Sequence, residues 1–418
     1  MFDVMGFISE LEKECSDFKR DLSGLEIQEQ IDIIKQSCSH IYPVEDLIKE
    51  FSESKRDNRP LVIKFGMDPM NVDISIDHMV PIVLLNKLQR MGNKIVFVIG
   101  DFTALIGDPS DVSVKQKKVN KKKIDANVKT LKKDMQQFLD MAKIDMRSNS
   151  SWLNDLKLPE LVEIMLELKV SPISSGELLR DKLNDRDNFS YAELIYPLTM
   201  GIDSLRIKAD LELGREDQLY NFRICRHMME IKGMKPEVIM TTQALPDGEI
   251  FTIKEEPIEI FHKIVQLDNK NVMIWYKLLT EILPDTTNKL ENAIYENNIN
   301  MQTVKEVLAK VIVAKLYGEE KSISTYIEYI KDIVKTTDTK EIRMIHGSKM
   351  TIGELIAAST DFTLPEAEHL VKTGGARALS CDGGCLTYIL NSDADISTIY
   401  FDKFYIIVDD KLVLRITK

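Results

Sequence analysis

Residues 59–101 read RPLVIKFGMDPMNVDISIDHMVPIVLLNKLQRMGNKIVFVIGD, and this stretch decides the fold. Leu61 to Phe65 form an apolar run that stops at Gly66, and Ile95 to Ile99 form a second that stops at Gly100. Between them the spacing predicts a helix from about His78 to Arg90, with Pro81 tolerated in the first turn, where its missing N–H breaks no helical bond. Two continuous apolar strands joined by a helix make the βαβ unit of a parallel sheet covered on both faces.

Working outward, residues 1–57 are acidic and periodic, with Ile31, Ile34, Leu47 and Phe51 on the apolar stripes of amphipathic helices. After the loop IGDPSD (106–111) a basic helical segment runs to about Ala142 and short elements follow to Arg186. A long amphipathic helix begins near Ser190, and 235–241 reads as another sheet strand. From Glu256 to about Val334 the period is helical throughout; residues 345–418 read as a helical pair followed by short strands. Four segments are therefore expected: 1–57 helical, 58–255 α/β with an insertion, 256–344 helical, and 345–418 a small α+β module.

The chain has 418 residues, which exceeds one ordinary core. Apolar residues at 44% and charged residues at 29% describe a globular chain, not a disordered one. A net charge of −12 repels nucleic acid, so any contact with it needs a local basic patch. Lys115, Lys117, Lys118, Lys121, Lys122 and Lys123 form a like-charged run that reads either as a polyanion-binding segment or as a solvated helix start. The five cysteines are odd in number and mostly scattered, which argues against a disulfide scaffold and for a reducing, cytoplasmic setting. Neither a signal peptide nor a membrane span is read.

Three stretches together resemble the bacterial tyrosyl-tRNA synthetase family, class I enzymes that join tyrosine to its tRNA. They are KFGMDP (64–69) with DISIDH (73–78), IGDFTALIGDPS (99–110), and YPLTMGID (196–203) with ADLELGREDQ (209–218). The similarity continues through PIEIFHKI (257–264), LAKVIVAKLYGEE (308–320) and TLPEAEHLVKTGGA (363–376), the last resembling a small RNA-binding module. The resemblance implies a doubly wound, Rossmann-like parallel sheet with the site at the carboxyl ends of its strands, an anticodon-binding-like helical domain, and a homodimer.

The resemblance also implies site residues. Thr103, Asp108 and Tyr196 match positions around the substrate ammonium, and Asp203 matches the residue that meets the phenol hydroxyl. Tyr196 and Asp203 lie seven apart, two turns along one helix, so they share a face. Asp68, Asn149 and Gln218 match further positions near the amino acid. Met200 lies on the same face where the family has a glutamine, and a thioether accepts hydrogen bonds only weakly.

The nucleotide signatures depart from the family. Ser75, Ile76, Asp77 and His78 stand where the sequence HIGH is usual, so only the last histidine remains. Asp77 replaces a glycine needed for close ligand approach, and a carboxylate at a helix N-terminus satisfies the field that would draw in a phosphate. It also reads as a helix cap. The mobile lysine loop expected between Asp247-Gly248 and Glu256-Pro257 is shortened to EIFTIKE, leaving the solitary Lys254. ATP with magnesium is therefore implied only if the ancestral activity persists. No metal site is read: Cys381 and Cys385 are two thiols where structural zinc needs four ligands.

Residues 351–418 carry six Lys/Arg against ten Asp/Glu, a net of −4 that argues against tRNA binding through this module. Together these readings lead us to expect a paralogue that keeps a pocket for tyrosine or a related aromatic amino acid and serves amino-acid binding or biosynthetic chemistry without ordinary ATP-dependent aminoacylation. A tyrosine–tRNA ligase with divergent signatures and a structural or interaction protein remain the alternatives at this point.

Overall fold

The computed structural model describes residues 2–70, 74–108, 121–168, 190–246, 250–337, 339–343, 350–380, 387–388 and 403–417. They form two compact units, one of Lys19–Ile253 and one of Met1–Phe18 with Lys254–Lys418.

The unit Lys19–Ile253 is α/β. Its elements are α2 (Ile27–Ser37), β1 (Cys38–Tyr42), α3 (Val44–Asp57), β2 (Val62–Met67), α4 (Ile76–Arg90), β3 (Lys94–Ile99), α5 (Thr103–Ile106), α6 (Lys121–Met135), β4 (Ile144–Ser148), α7 (Ser150–Leu153), α8 (Leu158–Glu167), α9 (Tyr191–Ile207), β5 (Leu211–Arg215), α10 (Leu219–Ile231) and β6 (Val238–Thr242). The strand order is β1-β6-β5-β2-β3-β4, with β2 to β6 parallel and β1 antiparallel to β6 at the edge. The sheet contains the parallel βαβ unit that the 59–101 stretch predicts, within the Rossmann-like arrangement that the family resemblance implies.

Ile63, Phe65 and every residue from Ile95 to Ile99 are buried, each large aliphatic contributing about 1.5–3 kcal/mol. The Phe65 and Phe97 rings, paired in register across β2 and β3, meet edge to face at 5.3 Å. Ser75 and not Asp77 caps α4, its hydroxyl accepting the His78 N–H, so the capping role expected for Asp77 is corrected. α9 starts in a Ser190–Glu193 capping box, close to where its pattern predicts, and ends at Lys208 in the left-handed region.

Three strands of this unit depart from the sequence reading, as does Thr339–Arg343 in the other, a strand at the end of the stretch 256–344 expected to be helical. β1 lies inside a segment expected to be wholly helical, while β4 and β5 lie where no strand was read. In β5, Glu212 is the register partner of Lys64 in β2, and their side chains, both buried, pair at 2.6 Å.

The second unit holds α1 (Val4–Cys15), then α11 (Pro257–Val265), α12 (Val272–Leu279), α13 (Pro284–Tyr295), α14 (Met301–Tyr317), α15 (Glu319–Thr336), β7 (Thr339–Arg343), α16 (Ile352–Ser359), α17 (Leu364–Lys372), β8 (Ala376–Ser380), β9 (Thr387–Tyr388), β10 (Lys403–Val408) and β11 (Leu412–Thr417). Its sheet runs β7-β11-β10-β8-β9 and packs Ile406, Leu414 and Ile416 against Ile352, Ile356 and Val371 of α16 and α17. Arg377 of β8 pairs with Glu306 of α14 and with Asp410, and Tyr329 donates to Asp410 at 2.7 Å. Burial pushes Glu306 up to about 8, with Arg377 opposing the shift. Among the described residues no helix is long and apolar enough to cross a membrane.

Candidate functional site

The residues singled out in the sequence gather where β2, β3, β4 and β5 end and α4, α5, α7, α9 and α10 begin or pass. In an open parallel sheet these carboxyl ends, at the reversal of strand order, form a crevice lined by loops and helix starts. Gly100, just past β3, is required there: a Cβ would come within 1.8 Å of Asp68 Oδ1 and 2.4 Å of Thr103 Oγ1.

A first chain of hydrogen bonds crosses this crevice. Thr103 Oγ1 donates to Asp68 Oδ1 at 2.6 Å, and the Tyr196 hydroxyl donates to Asp68 Oδ2 at 3.0 Å. Asn149 Nδ2 lies 3.1 Å from Thr103 Oγ1 and 3.3 Å from Asp203 Oδ2, while its own oxygen accepts the Phe102 N–H. The indole N–H of Trp152 donates to Asp203 Oδ1 at 2.7 Å. Asp68, Thr103, Asn149, Tyr196 and Asp203 therefore form one polar network, and Thr103, Asn149, Tyr196 and Asp203 are buried within it.

A second group joins Asp108 to α10. Gln218 Nε2 donates to Asp108 Oδ2 at 2.6 Å, and Asn221 Nδ2 donates to Gln218 Oε1 at 3.0 Å. The groups are coupled by charge. Burial raises Asp68 to about 7, the Thr103 and Tyr196 donors oppose this, and the like charges of Asp108 and Asp203 add to it. Asp203 is raised to about 6 by burial, against the pull of Lys64 and the bonds from Trp152 and Asn149. Tyr196, buried beside these carboxylates, is pushed well above the ordinary phenol range. Met200 is half-buried on α9 between Tyr196 and Asp203, and among the described residues its thioether joins none of these bonds.

The third group is the nucleotide-signature segment. Ser75 Oγ and His78 Nδ1 lie 2.6 Å apart, and His78 Nε2 faces Arg215 NH1 at 3.0 Å. An arginine only donates, so Nε2 accepts and the ring proton sits on Nδ1, directed at Ser75. Asp77, 6% exposed, accepts the Leu245 backbone N–H at 2.9 Å and faces Arg215 at 3.5 Å. Arg215 also pairs with Asp217 at 3.2 Å. The remnant of the shortened lysine loop is sewn onto the same segment: Phe251 O accepts the Ile76 N–H, Ile253 N donates to Ile74 O, and Thr252 bridges Ser75. Asp247, Gly248, Lys115, Lys117, Lys118, Cys381 and Cys385 lie outside the described residues.

This segment does not fit ATP. A buried carboxylate stands where the family has a bare glycine, and Arg215 is matched by two aspartates, so among the described residues of this segment no net positive charge is offered to a triphosphate. Sequence reasoning missed Arg215, Trp152 and Lys64. Arg215 sits inside the quoted ADLELGREDQ stretch at the end of a buried strand, which was the available signal.

Comparison with known proteins places the chain. The family model described as "tRNA synthetases class I (W and Y)" matches residues 55–331. A protein named tyrosine–tRNA ligase 2 from Clostridium acetobutylicum is 28% identical over 365 residues, covering 84% of this chain and 91% of its own. A tyrosine–tRNA ligase from Francisella tularensis is 29% identical over 364 residues, with the same coverage of 84% and 91%. Among solved structures, a truncated mitochondrial tyrosyl-tRNA synthetase from Aspergillus nidulans matches with a TM-score of 0.61 at 16% identity, covering 78% of this chain and 99% of that one. A tyrosyl-tRNA synthetase from Archaeoglobus fulgidus complexed with L-tyrosine matches with a TM-score of 0.57 at 16% identity, covering 72% and 100%. The chain thus belongs to the class I tRNA synthetases for tryptophan and tyrosine, as a member of the tyrosyl-tRNA synthetase family.

Proposed function

We propose that this chain is an amino-acid-binding paralogue of the tyrosyl-tRNA synthetases that has left ordinary ATP-dependent aminoacylation. The observation that carries the reading is the placement of Asp77, buried between the Leu245 N–H and Arg215 at the start of α4. Preorganised positive charge supplies most of the acceleration in adenylate formation, and losing one such group typically costs about 10²–10³ in rate. Among the described residues at the start of α4, the guanidinium that faces Asp77 is held by two aspartates.

The amino-acid side of the crevice supports retention of a ligand. Asp68 accepts from Thr103 and Tyr196 with lone pairs to spare, so a substrate ammonium would find a carboxylate already oriented. Asp108, fixed by Gln218, lends a second negative charge on that side. Asp203, held by Trp152 and Asn149, keeps acceptor capacity for a phenol hydroxyl. Tyrosine or a related aromatic amino acid is the ligand these groups suit, with Met200 relaxing the polar grip that a glutamine would give.

A homodimer is part of the reading. Leu158, Val162, Met165 and Leu166 recur at helical spacing on α8, and Leu158 and Leu166 are 71% and 80% exposed. An apolar stripe of this kind is normally covered by a partner.

A second reading, an active tyrosine–tRNA ligase with divergent signatures, is favoured by one observation: relatives carrying that name match over about nine-tenths of their own length. Tyrosine-dependent exchange of pyrophosphate into ATP, measured beside calorimetric tyrosine binding, separates the two. Binding without exchange supports the proposal, and exchange at an ordinary synthetase rate replaces it with the second reading. If no amino acid binds at millimolar concentration, both give way to a structural or interaction role.

A further inference from the structure

Between the sheet and α9 lies a second buried cluster that the reading above does not use. Lys64 of β2, Ser204 of α9, Glu212 of β5, Cys225 of α10 and Glu237, just before β6, are all buried. The Lys64 ammonium pairs with Glu212 Oε1 at 2.6 Å and donates to Ser204 Oγ at 2.6 Å, and the Ser204 hydroxyl donates onward to Glu237 Oε1 at 2.9 Å. Glu212, Glu237 and Cys225 bring ligand atoms within 4.8 Å of one another, as a metal set would, but the Lys64 ammonium already holds the cation's place.

The remaining oxygens fix the charge of this cluster. Glu212 Oε2 and Glu237 Oε2 are buried, and neither meets a hydrogen-bond donor. Two carboxylates this close do not both stay ionised out of water, and one proton shared between them satisfies both oxygens. Burial and the neighbouring Glu237 push Glu212 well above the usual carboxylate range, with Lys64 opposing. The pair then carries one negative charge against the one positive charge of Lys64.

Ser204 follows Asp203, so the cluster abuts the turn of α9 that carries the carboxylate suited to a phenol. The hydrogen bonds of Asp203 come from the neutral donors Asn149 and Trp152. The charged groups that act on it are Lys64 from β2, Asp68 just after β2, and Asp101 after β3, while Tyr196 on α9 is the neighbouring phenol. Lys64 is the cation of that set, and it opposes the burial that lifts Asp203 to about 6.

We propose that Lys64 is a positioning residue for ligand selectivity: held by Ser204 and by a carboxyl pair that shares one proton, its ammonium keeps Asp203 charged, and the site thereby prefers an aromatic amino acid with a hydroxyl over one without. The inference rests on the amino-acid-binding reading for its ligand, but its first test needs no ligand. A charged carboxylate accepts a phenol hydroxyl strongly, whereas a plain aromatic ring gains nothing from that charge.

The chain has two tryptophans, Trp152 and Trp275, so its indole N–H resonances in a heteronuclear NMR spectrum form a pair. The one bonded to Asp203 is identified by its loss in Trp152→Phe. In the full-length parent it should titrate with a midpoint of about 6, and in Asp203→Asn that transition should vanish, with Trp275 as the reference. In Lys64→Met the midpoint should rise by at least about one pH unit. Lys64→Met/Glu237→Gln removes the cation and one anion together, so it leaves no surplus buried charge if the single variant does not fold, and it should show the same rise. Glu212→Gln mimics the protonated carboxyl and should leave the midpoint within about 0.3 unit.

Calorimetry then reads the selectivity. The ratio of tyrosine to phenylalanine affinity should fall about five- to tenfold at pH 6 in the Lys64 variants and recover by pH 8.5. Asp68 faces the ammonium that both ligands share and cancels in that ratio. The proposal is overturned if the Trp152 resonance responds to pH identically in the parent and the Lys64 variants, or if the affinity ratio is unchanged while both ligands bind. It is also overturned, in favour of a purely structural role, if neither Lys64 variant folds. A shifted midpoint in proteins that bind no amino acid overturns the amino-acid reading and the selectivity with it, but leaves Lys64 as the group that keeps Asp203 charged, so the two failures are told apart.

Discussion

The carboxylate of Asp77 accepts the backbone N–H of Leu245 at 2.9 Å, joining the first turn of α4 to the loop that follows β6 across 168 residues of chain. A family signature position has thereby become a structural joint. Asp77→Ala would leave that N–H without its acceptor and remove one of the carboxylates facing Arg215. We expect a loss of about 1–3 kcal/mol in urea denaturation, with no gain in ATP binding. A neutral effect on stability would mean that the joint is idle.

Asp203 is expected to govern recognition of the ligand's far end. Asp203→Ala should weaken tyrosine binding by about 1.5–3 kcal/mol, roughly 10- to 150-fold, the usual worth of a hydrogen bond to a charged group. Phenylalanine, which lacks the hydroxyl, should be affected far less. Calorimetry with both amino acids checks this, and an unchanged tyrosine affinity would remove Asp203 from the site.

The pH dependence of binding follows from Asp68, raised to about 7 by burial. A ligand ammonium favours the ionised carboxylate, so below pH 7 binding must first displace a proton. Affinity should fall about tenfold per pH unit there and level off above. Asp68→Asn should flatten the profile. The same shift sets a stability trend with the opposite sign. The folded pKa lies above the ordinary carboxylate value, so the unliganded fold loses stability as pH rises from about 4 to 7, and Asp68→Asn should remove that loss. A parent protein whose affinity is flat between pH 5 and 8 would contradict the assignment.

Arg377 is buried with Glu306 and Asp410 around it. Arg377→Ala strands two carboxylates and should cost about 3–5 kcal/mol. Glu306 already sits near pH 8, so it can take up a proton and soften the loss at lower pH. Thermal melts at pH 6 and pH 8.5 should separate the variant from the parent more at the higher pH.

The stripe on α8 predicts association. Val162→Glu/Leu166→Glu should sediment as a monomer at micromolar concentration where the parent sediments as a dimer. A parent that is itself monomeric under those conditions would leave the exposed leucines to be explained by another partner.

What the sequence disclosed, and what it withheld, follows one physical rule. β2 and β3 were legible because Leu61 to Phe65 and Ile95 to Ile99 are nearly unbroken apolar runs, the mark of a strand buried on both faces. β5 was not, because LELGR mixes charge into a strand that is almost fully buried. Its Glu212 is neutralised by Lys64 on the neighbouring strand, a partner 148 residues away that no local pattern reveals. β1 and β4 are short and half polar for another reason: they are the two edges of the sheet. The site residues on α9 were readable through the family resemblance of YPLTMGID, and their seven-residue spacing added only that Tyr196 and Asp203 share a face. Trp152 and Arg215 were not, since each acts through a hydrogen bond or ion pair to a residue from another element.

α1 belongs with the later part of the chain: Glu12 pairs with Lys310 of α14, and Glu14 accepts the Leu283 N–H at 2.8 Å. α1 therefore waits for companions 269 and 298 residues downstream, with the whole of Lys19–Ile253 synthesised in between. Closing so long a loop costs only a little more than closing a short one, but it cannot begin early. During synthesis the apolar stripe of α1, with Ile8, Leu11 and Cys15, stays uncovered until that later part is made, and exposed apolar surface of this kind is what draws a nascent chain into aggregation.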